Sequence, residues 1–259
     1  MGATGEAAGR GRDGHPCGAS VTRSAERAVI APGYVEPTGE TPSHGSNDER
    51  RFENGLDDEP EYRWPIPPPE GWTADDLDRI PGLPPHTELI DGSLVFVSPQ
   101  TRFHSRTMRL LDNALLDQAP DRLDVDREMT IKLDSKNRPE PGILVFEASE
   151  VTGTDQTWYR PQDVLLAVEV VSPDSRERDR EVKPRKYAEA GVPHFWRVEK
   201  DEEKGLPVVY VYELDPATKS YGLTGIFHDR LKTTAPFDIE IDFTAVGRRR
   251  GTSGDTARG

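Results

Sequence analysis

A carboxylate inside an apolar run is the first sign of chemistry in this chain. Glu169 sits in Val164–Ser172, VLLAVEVVS. The other residues of that run suit a strand covered on both faces. A buried carboxylate is costly unless a cation pairs with it, and metal ions and lysines are the usual partners. The segment that follows, Pro173–Gly191, supplies Arg176, Arg178, Arg180, Lys183, Arg185 and Lys186. The plain alternative is a structural Glu–Arg pair, since ion pairs that only hold a fold sit in such places too. A second basic group lies earlier. Arg102, Arg106 and Arg109 recur at i, i+4 and i+7, so they share one face of any helix there. Such a stripe either tracks phosphates or faces solvent. His104, beside it, is a candidate for proton transfer or a phosphate contact, or is simply a surface histidine.

These residues need elements to position them. Phe103–Leu116 carries Phe103, Leu110, Leu111, Ala114 and Leu115 on a helical stripe, with the arginines on another face. Glu88–Val97, ELIDGSLVFV, reads as a hairpin about an Asp91-Gly92 turn. Leu123–Leu133 reads as a strand, Asp134–Arg138 as a turn and Ile143–Phe146 as the return strand of a second hairpin. Ala148–Pro161 reads as a polar loop. The central strand follows, and then a helix-like stretch, Asp174–Ala190, closed by Gly191. His194–Glu199, Pro207–Glu213, Tyr221–Phe227 and Phe237–Phe243 read as further strands. Ahead of all this, Thr73 is a good N-cap for a short helix ended by Pro81. Trp64, Ile66 and Trp72 around Pro67–Pro69 suggest an extended arm laid on the domain.

Composition bounds the rest. The chain has 259 residues and a formal net charge of −14, with only 34% hydrophobic residues. Net acidity argues against a general nucleic-acid coat protein but leaves room for a local basic groove. Residues 1 to about 60 lack any apolar period, so they read as a disordered tail ahead of a domain spanning 61–246; residues 247–259 read as a second tail. One cysteine, Cys17, rules out an internal disulfide framework and a cysteine-rich zinc site and fits a reducing cytoplasm. No apolar run is long enough to span a membrane, and the N-terminus has no apolar signal core.

The order hairpin, helix, hairpin, central strand, helix, strand, with HTELIDGSLV, RPEPGILV, VLLAVEVVSPDS and RDREVKPRKYAEAGVPHFW, resembles the Uma-two family of restriction-endonuclease-like proteins. That family belongs to the PD-(D/E)XK nuclease superfamily. The resemblance runs from about Trp64 to about Phe243. It implies an α/β (α+β) fold with a mixed central sheet flanked by helices, and a metal-dependent endonuclease acting on DNA in the cytoplasm with Mg²⁺ or Mn²⁺; a homodimer is compatible with it. Glu169 matches the family's catalytic and metal-binding glutamate, and Lys183 matches its lysine. Arg102, His104, Arg106, Arg176, Arg180 and Lys186 become the candidate nucleic-acid contacts.

The chain departs from the family's pattern in two places. The proline–aspartate pair falls on Pro141-Gly142, where glycine offers no oxygen. Glu140, two residues earlier and on the same face if the strand is regular, and Glu128 on the neighbouring strand are the candidate substitute ligands. Pro184 interrupts the second helix directly after Lys183. Either a helix restarts there, where proline is welcome, or Lys183 is displaced and Lys186 replaces it. A nuclease fold that has lost catalysis and binds nucleic acid or a protein is therefore the alternative reading. Kinase, dinucleotide and serine-hydrolase chemistries lack their motifs.

Overall fold

The computed structural model describes residues 65–247. The chain divides between Pro60 and Glu61. The expected tails over 1–60 and 247–259 lie outside the described residues, except Gly247, which ends a 3₁₀ turn, Phe243–Gly247; Trp64 lies outside as well.

In chain order, a short 3₁₀ turn, Ala74–Asp78, is followed by strands β1 (Glu88–Ile90) and β2 (Ser93–Val95), helix α1 (Arg102–Gln118), then β3 (Leu123–Arg127), β4 (Thr130–Ile131), β5 (Ile143–Glu147), β6 (Trp158–Tyr159) and β7 (Val164–Val170). Helix α2 (Lys183–Ala190) leads to β8 (His194–Lys200), β9 (Pro207–Asp215), β10 (Ser220–Phe227), β11 (Arg230–Thr233) and β12 (Ile239–Asp242). Six strands form one mixed sheet in the order β10-β9-β8-β7-β5-β3. Within this sheet only the β7–β8 pair is parallel. That pairing requires a crossover between the two strands, and α2 supplies it. The fold class is therefore the expected mixed α+β arrangement.

The strand alternation explains the two layers. Ile143, Val145, Leu166, Val168, Val170, Trp196 and Val198 face α1 and the β11–β12 hairpin, where Met108, Leu111, Leu115, Leu231 and Ile241 complete one core. Leu144, Phe146, Ala167 and Phe195 face the other way, onto Tyr187 of α2, Val192 and Tyr159. Glu169 has the parity of Ala167 and faces this second layer.

Several local expectations are corrected. Leu123–Leu133 is not one strand. Glu128 takes a left-handed φ of 56° and ends β3, and Thr130–Ile131 leaves the main sheet to pair in parallel with Trp158–Tyr159. The stretch expected as a polar loop thus holds a short strand. The β11–β12 hairpin includes a strand, Arg230–Thr233, that the sequence reading passed over. Ile66 is 88% exposed, so the arm does not pack through it; Trp72 is held instead by its backbone N–H, which donates to Gly92 O at 2.8 Å. The β1–β2 turn is as expected, with Asp91 and Gly92 both at positive φ.

Candidate active site

The site forms where the ends of β5 and β7 meet β1 and the start of α2. β1 is a three-residue strand with every residue buried, Glu88 included. β7 delivers Glu169 near its end. Register pairs Ile143 with Val168 across β5 and β7, which brings the Glu140–Gly142 segment alongside Glu169. The third contribution is helical. Asp179, Lys183 and Tyr187 recur at i, i+4 and i+8, so one face presents all three.

Pro184 is accommodated without displacing Lys183. Arg178–Val182 is a π-turn that runs directly into α2. The Lys183 N–H donates to Arg178 O across this wider turn. Proline has no N–H and its ring collides with the carbonyl four residues back; widening the turn relieves both problems. Of the two expected alternatives the first holds: α2 starts at Lys183 with Pro184 in its first turn, and Lys183 is not displaced. Lys186, the proposed substitute, points elsewhere and donates to Asp91 Oδ1 at 2.6 Å.

Lys183 Nζ lies 2.5 Å from Glu88 Oε1, 3.0 Å from Glu169 Oε1 and 3.5 Å from Asp179 Oδ1. All four residues are at most 4% exposed. The Tyr187 hydroxyl donates to Glu169 Oε1 at 2.8 Å, and the Ser175 hydroxyl donates to Asp179 Oδ2. Three carboxylates thus share one ammonium. Burial pushes the Glu169 carboxyl up, to about 8; Lys183 pulls it down, and Asp179 and Glu88 push it up again. Burial works against the Lys183 charge, but the three carboxylates outweigh it and hold the ammonium protonated well above the usual lysine range. Burial, reinforced by the same acids, keeps the Tyr187 phenol protonated.

This cluster forms one wall of a cavity of about 400 Å³ whose lining also includes His86, His104, Glu128, Glu140 and Gly142. Glu140 is not a loose ligand. Its Oε1 lies 2.6 Å from His86 Nδ1, and its backbone N–H donates to Glu88 Oε1 at 2.8 Å. Burial raises the Glu140 carboxyl, with the His86 contact opposing. Burial lowers the His86 imidazole, but the bond to Glu140 outweighs it and the net shift is upward. Burial lowers that of His104. Glu128 is exposed at the rim.

Gly142 precedes the first residue of β5, so the alternation assumed for it and Glu140 does not apply. A Cβ at position 142 would lie 2.8 Å from Met108 Sδ and 3.4 Å from Val168 O. A side chain at the cavity-lining position 142 would thus first meet Met108 of α1.

Of the six candidate nucleic-acid contacts, three have protein partners. Arg106 donates to Val246 O at 3.1 Å, Arg180 forms a two-pronged pair with Glu199, and Lys186 takes Asp91. Arg102 and Arg176 are exposed, and His104 lines the cavity.

The sequence reading missed Glu88, Asp179, Tyr187 and His86. Glu88 carries the same signal as Glu169, an acid in an otherwise apolar strand. The Asp179–Lys183–Tyr187 spacing was a legible helical face. Nothing in the sequence singles out His86, whose left-handed φ of 60° and contact with Glu140 are tertiary facts.

Among the described residues, no three histidine, cysteine or acidic side chains converge closely enough to hold a metal ion as they stand. The donor chemistry nevertheless suits a hard cation. Carboxylates outnumber the one lysine, and Glu88 Oε2 and Asp179 Oδ1 are buried without a hydrogen-bond partner.

A mixed sheet carrying acids and a lysine at the end of its central strands is the frame of a nuclease-like protein. The particular family follows from the sequence itself: residues 74–244 match the Uma2 family model, described as "Putative restriction endonuclease", and the chain belongs to that family. Among solved structures, the chain is similar to one titled as a "putative nuclease belonging to DUF820" from Anabaena variabilis, at 18% identity and a TM-score of 0.49, covering 67% of this chain and 96% of that one. No curated protein matches the chain.

Proposed function

We propose that this chain is a metal-dependent endonuclease that cleaves DNA slowly. The observation that carries this reading is the buried set of Glu169, Glu88 and Asp179 around Lys183, at the wall of an open cavity in a chain of the Uma2 family. Those three carboxylates would hold Mg²⁺ or Mn²⁺. The metal, when bound, supplies charge neutralisation at the phosphate and a water acidic enough to attack it.

The chain's own residues do the remaining work. Lys183 keeps its proton, so it serves as a stabiliser of negative charge and not as a base. Tyr187 fixes the Glu169 carboxylate by donating to Oε1 and is a positioning residue. His104, held toward its neutral form by burial, is a group at the cavity able to accept a proton. Glu140 and Glu128 line the cavity in supporting places, and Glu140 is engaged by His86. The slow rate follows from Gly142: the family's aspartate oxygen is missing, and misplacement of about 1 Å costs on the order of a hundredfold in rate.

A nicking assay on supercoiled plasmid with Mg²⁺, Mn²⁺ or EDTA tests the reading. The wild type should nick slowly with metal and not in EDTA, and Glu169→Gln should not nick at all. Cleavage that survives Glu169→Gln overturns the site. The second reading, a nuclease fold that binds without cutting, is favoured by Gly142 itself; absence of nicking, together with no calorimetric signal for Mg²⁺ or Mn²⁺, would select it.

A further inference from the structure

A second cavity, of about 470 Å³, adjoins the first. Three stretches of chain pass from one to the other: Gln100, Val170 and Ser175 line the acidic cavity, and their neighbours Thr101, Val171 and Arg176 line the second. The two cavities have opposite character. The first has five carboxylates against one lysine in its lining. The second has Arg102, Arg176, Arg180 and Lys200 against Glu199 and Glu202. Arg180 and Glu199 neutralise each other in their two-pronged pair. That leaves Arg102, Arg176 and Lys200, all exposed, facing Glu202. Neither the Arg102 nor the Arg176 guanidinium has a protein partner among the described residues.

We propose that this second cavity grips a backbone phosphate next to the one that is cut, through Arg102, Arg176 and Lys200. The inference rests on the nuclease reading and assigns its substrate a definite path, across the end of β7 from the acidic cavity to the basic one. Two chemical arguments support it. Guanidinium groups match phosphate oxygens in paired hydrogen bonds. A chain of net charge −14 repels a polyanion at long range, so a strand can be held only where cations are gathered locally. The same argument divides the earlier candidate contacts. Arg102 and Arg176 bind substrate, while Arg106, Arg180 and Lys186 hold the fold.

The test is fluorescence anisotropy of the full chain with a fluorescein-labelled 16-nucleotide single strand in Ca²⁺, repeated across a salt series. Each phosphate neutralised on a single strand contributes about 0.7 to the slope of log affinity against log salt. The double variant Arg102→Ala, Arg176→Ala should bind about tenfold more weakly or worse, and its slope should flatten by about 0.7 or more. Arg109→Ala removes one arginine charge seven residues beyond Arg102 on α1, about 10 Å away, and should leave the slope unchanged. An unchanged melting temperature for the double variant checks that the fold is intact. Wild-type affinity and slope in the double variant overturn the proposal, as does an equal effect of Arg109→Ala or no binding by the wild type. Plasmid nicking reports separately on the parent reading: binding with the expected slope change but no metal-dependent nicking would remove the nuclease and keep the phosphate site.

Discussion

Lys183 and Glu169 are coupled so tightly that their substitutions should have opposite effects. Removing the ammonium leaves three buried carboxylates facing one another. Lys183→Met should therefore destabilise the fold by about 3–5 kcal/mol, read by urea denaturation in EDTA. Glu169→Gln keeps the shape and the uncharged form that burial already favours at neutral pH, so it should not destabilise. Its effect is pH-dependent. The folded Glu169 carboxyl is raised from the ordinary glutamate range to about 8, so the native state binds a proton that the unfolded chain releases at lower pH. The stability tied to that proton is complete below the unfolded value and is lost as pH rises through about 8. Melting temperatures in EDTA between pH 5 and 9 should fall for the wild type across this window and slope less for Glu169→Gln; parallel profiles would refute the assignment. At Gly142 a carboxylate meets steric resistance. Gly142→Asp places its Cβ against the Met108 sulfur, a flexible group whose displacement should cost about 1 kcal/mol. Nicking should rise more in Gly142→Asp with Met108→Val than in Gly142→Asp alone, and equal rates would show that Met108 gives way unaided.

At the scale of elements, the site depends on how two short pieces are tied down. β1 is only three residues long, yet it carries Glu88. The tie is Arg138. Its backbone pairs with Leu89 in both directions. Its buried guanidinium donates to Thr130, Ala74 O, both oxygens of Asp78, and Thr157. One residue thus joins β1 through its backbone and the first 3₁₀ turn, β4 and the loop before β6 through its side chain. Arg138→Met should cost about 3 kcal/mol by urea denaturation. Asp78→Asn should cost about 1 kcal/mol, since Asp78 is 42% exposed and solvent screens its charge. The π-turn before α2 is the other device. Its extra width absorbs Pro184 while Asp179 and Lys183 remain on one face.

For the whole molecule, the two sides of the sheet are specialised. The α1 side is mostly apolar and gains its last covering from the β11–β12 hairpin and Phe243, which is fully buried. The α2 side gives up part of its apolar contact to hold the charged cluster. A chain beginning at Glu61 should melt at the wild-type temperature, because residues 1–60 have no apolar period with which to pack. Ending the chain before Phe243 should be severely destabilising, by about 3–5 kcal/mol for the aromatic ring alone, and should also remove the Val246 carbonyl that accepts from Arg106. Thermal unfolding of both truncations checks the pair, and a lower melting point for the first would show that the N-terminal segment packs on the domain.

Strands, helices and the acid in the central strand were legible in the sequence because they rest on local periodicity. A lone Glu in VLLAVEVVS must be buried and paired whatever surrounds it, and the apolar stripe of α1 has one face to hide. Which cation Glu169 meets was not legible, since Lys183, Lys186 and four arginines follow within a few turns and their reach overlaps. Only packing chose Lys183, by placing its helix over β7 and sending Lys186 to Asp91. Glu88 and His86 joined the site from about 80 residues upstream, a contact that no local pattern encodes because it is made by the Arg138 tie and not by adjacent sequence. The fate of Gly142 was likewise tertiary: its missing oxygen could be read from the chain, but the direction that oxygen would take depended on Met108, across the sheet on α1.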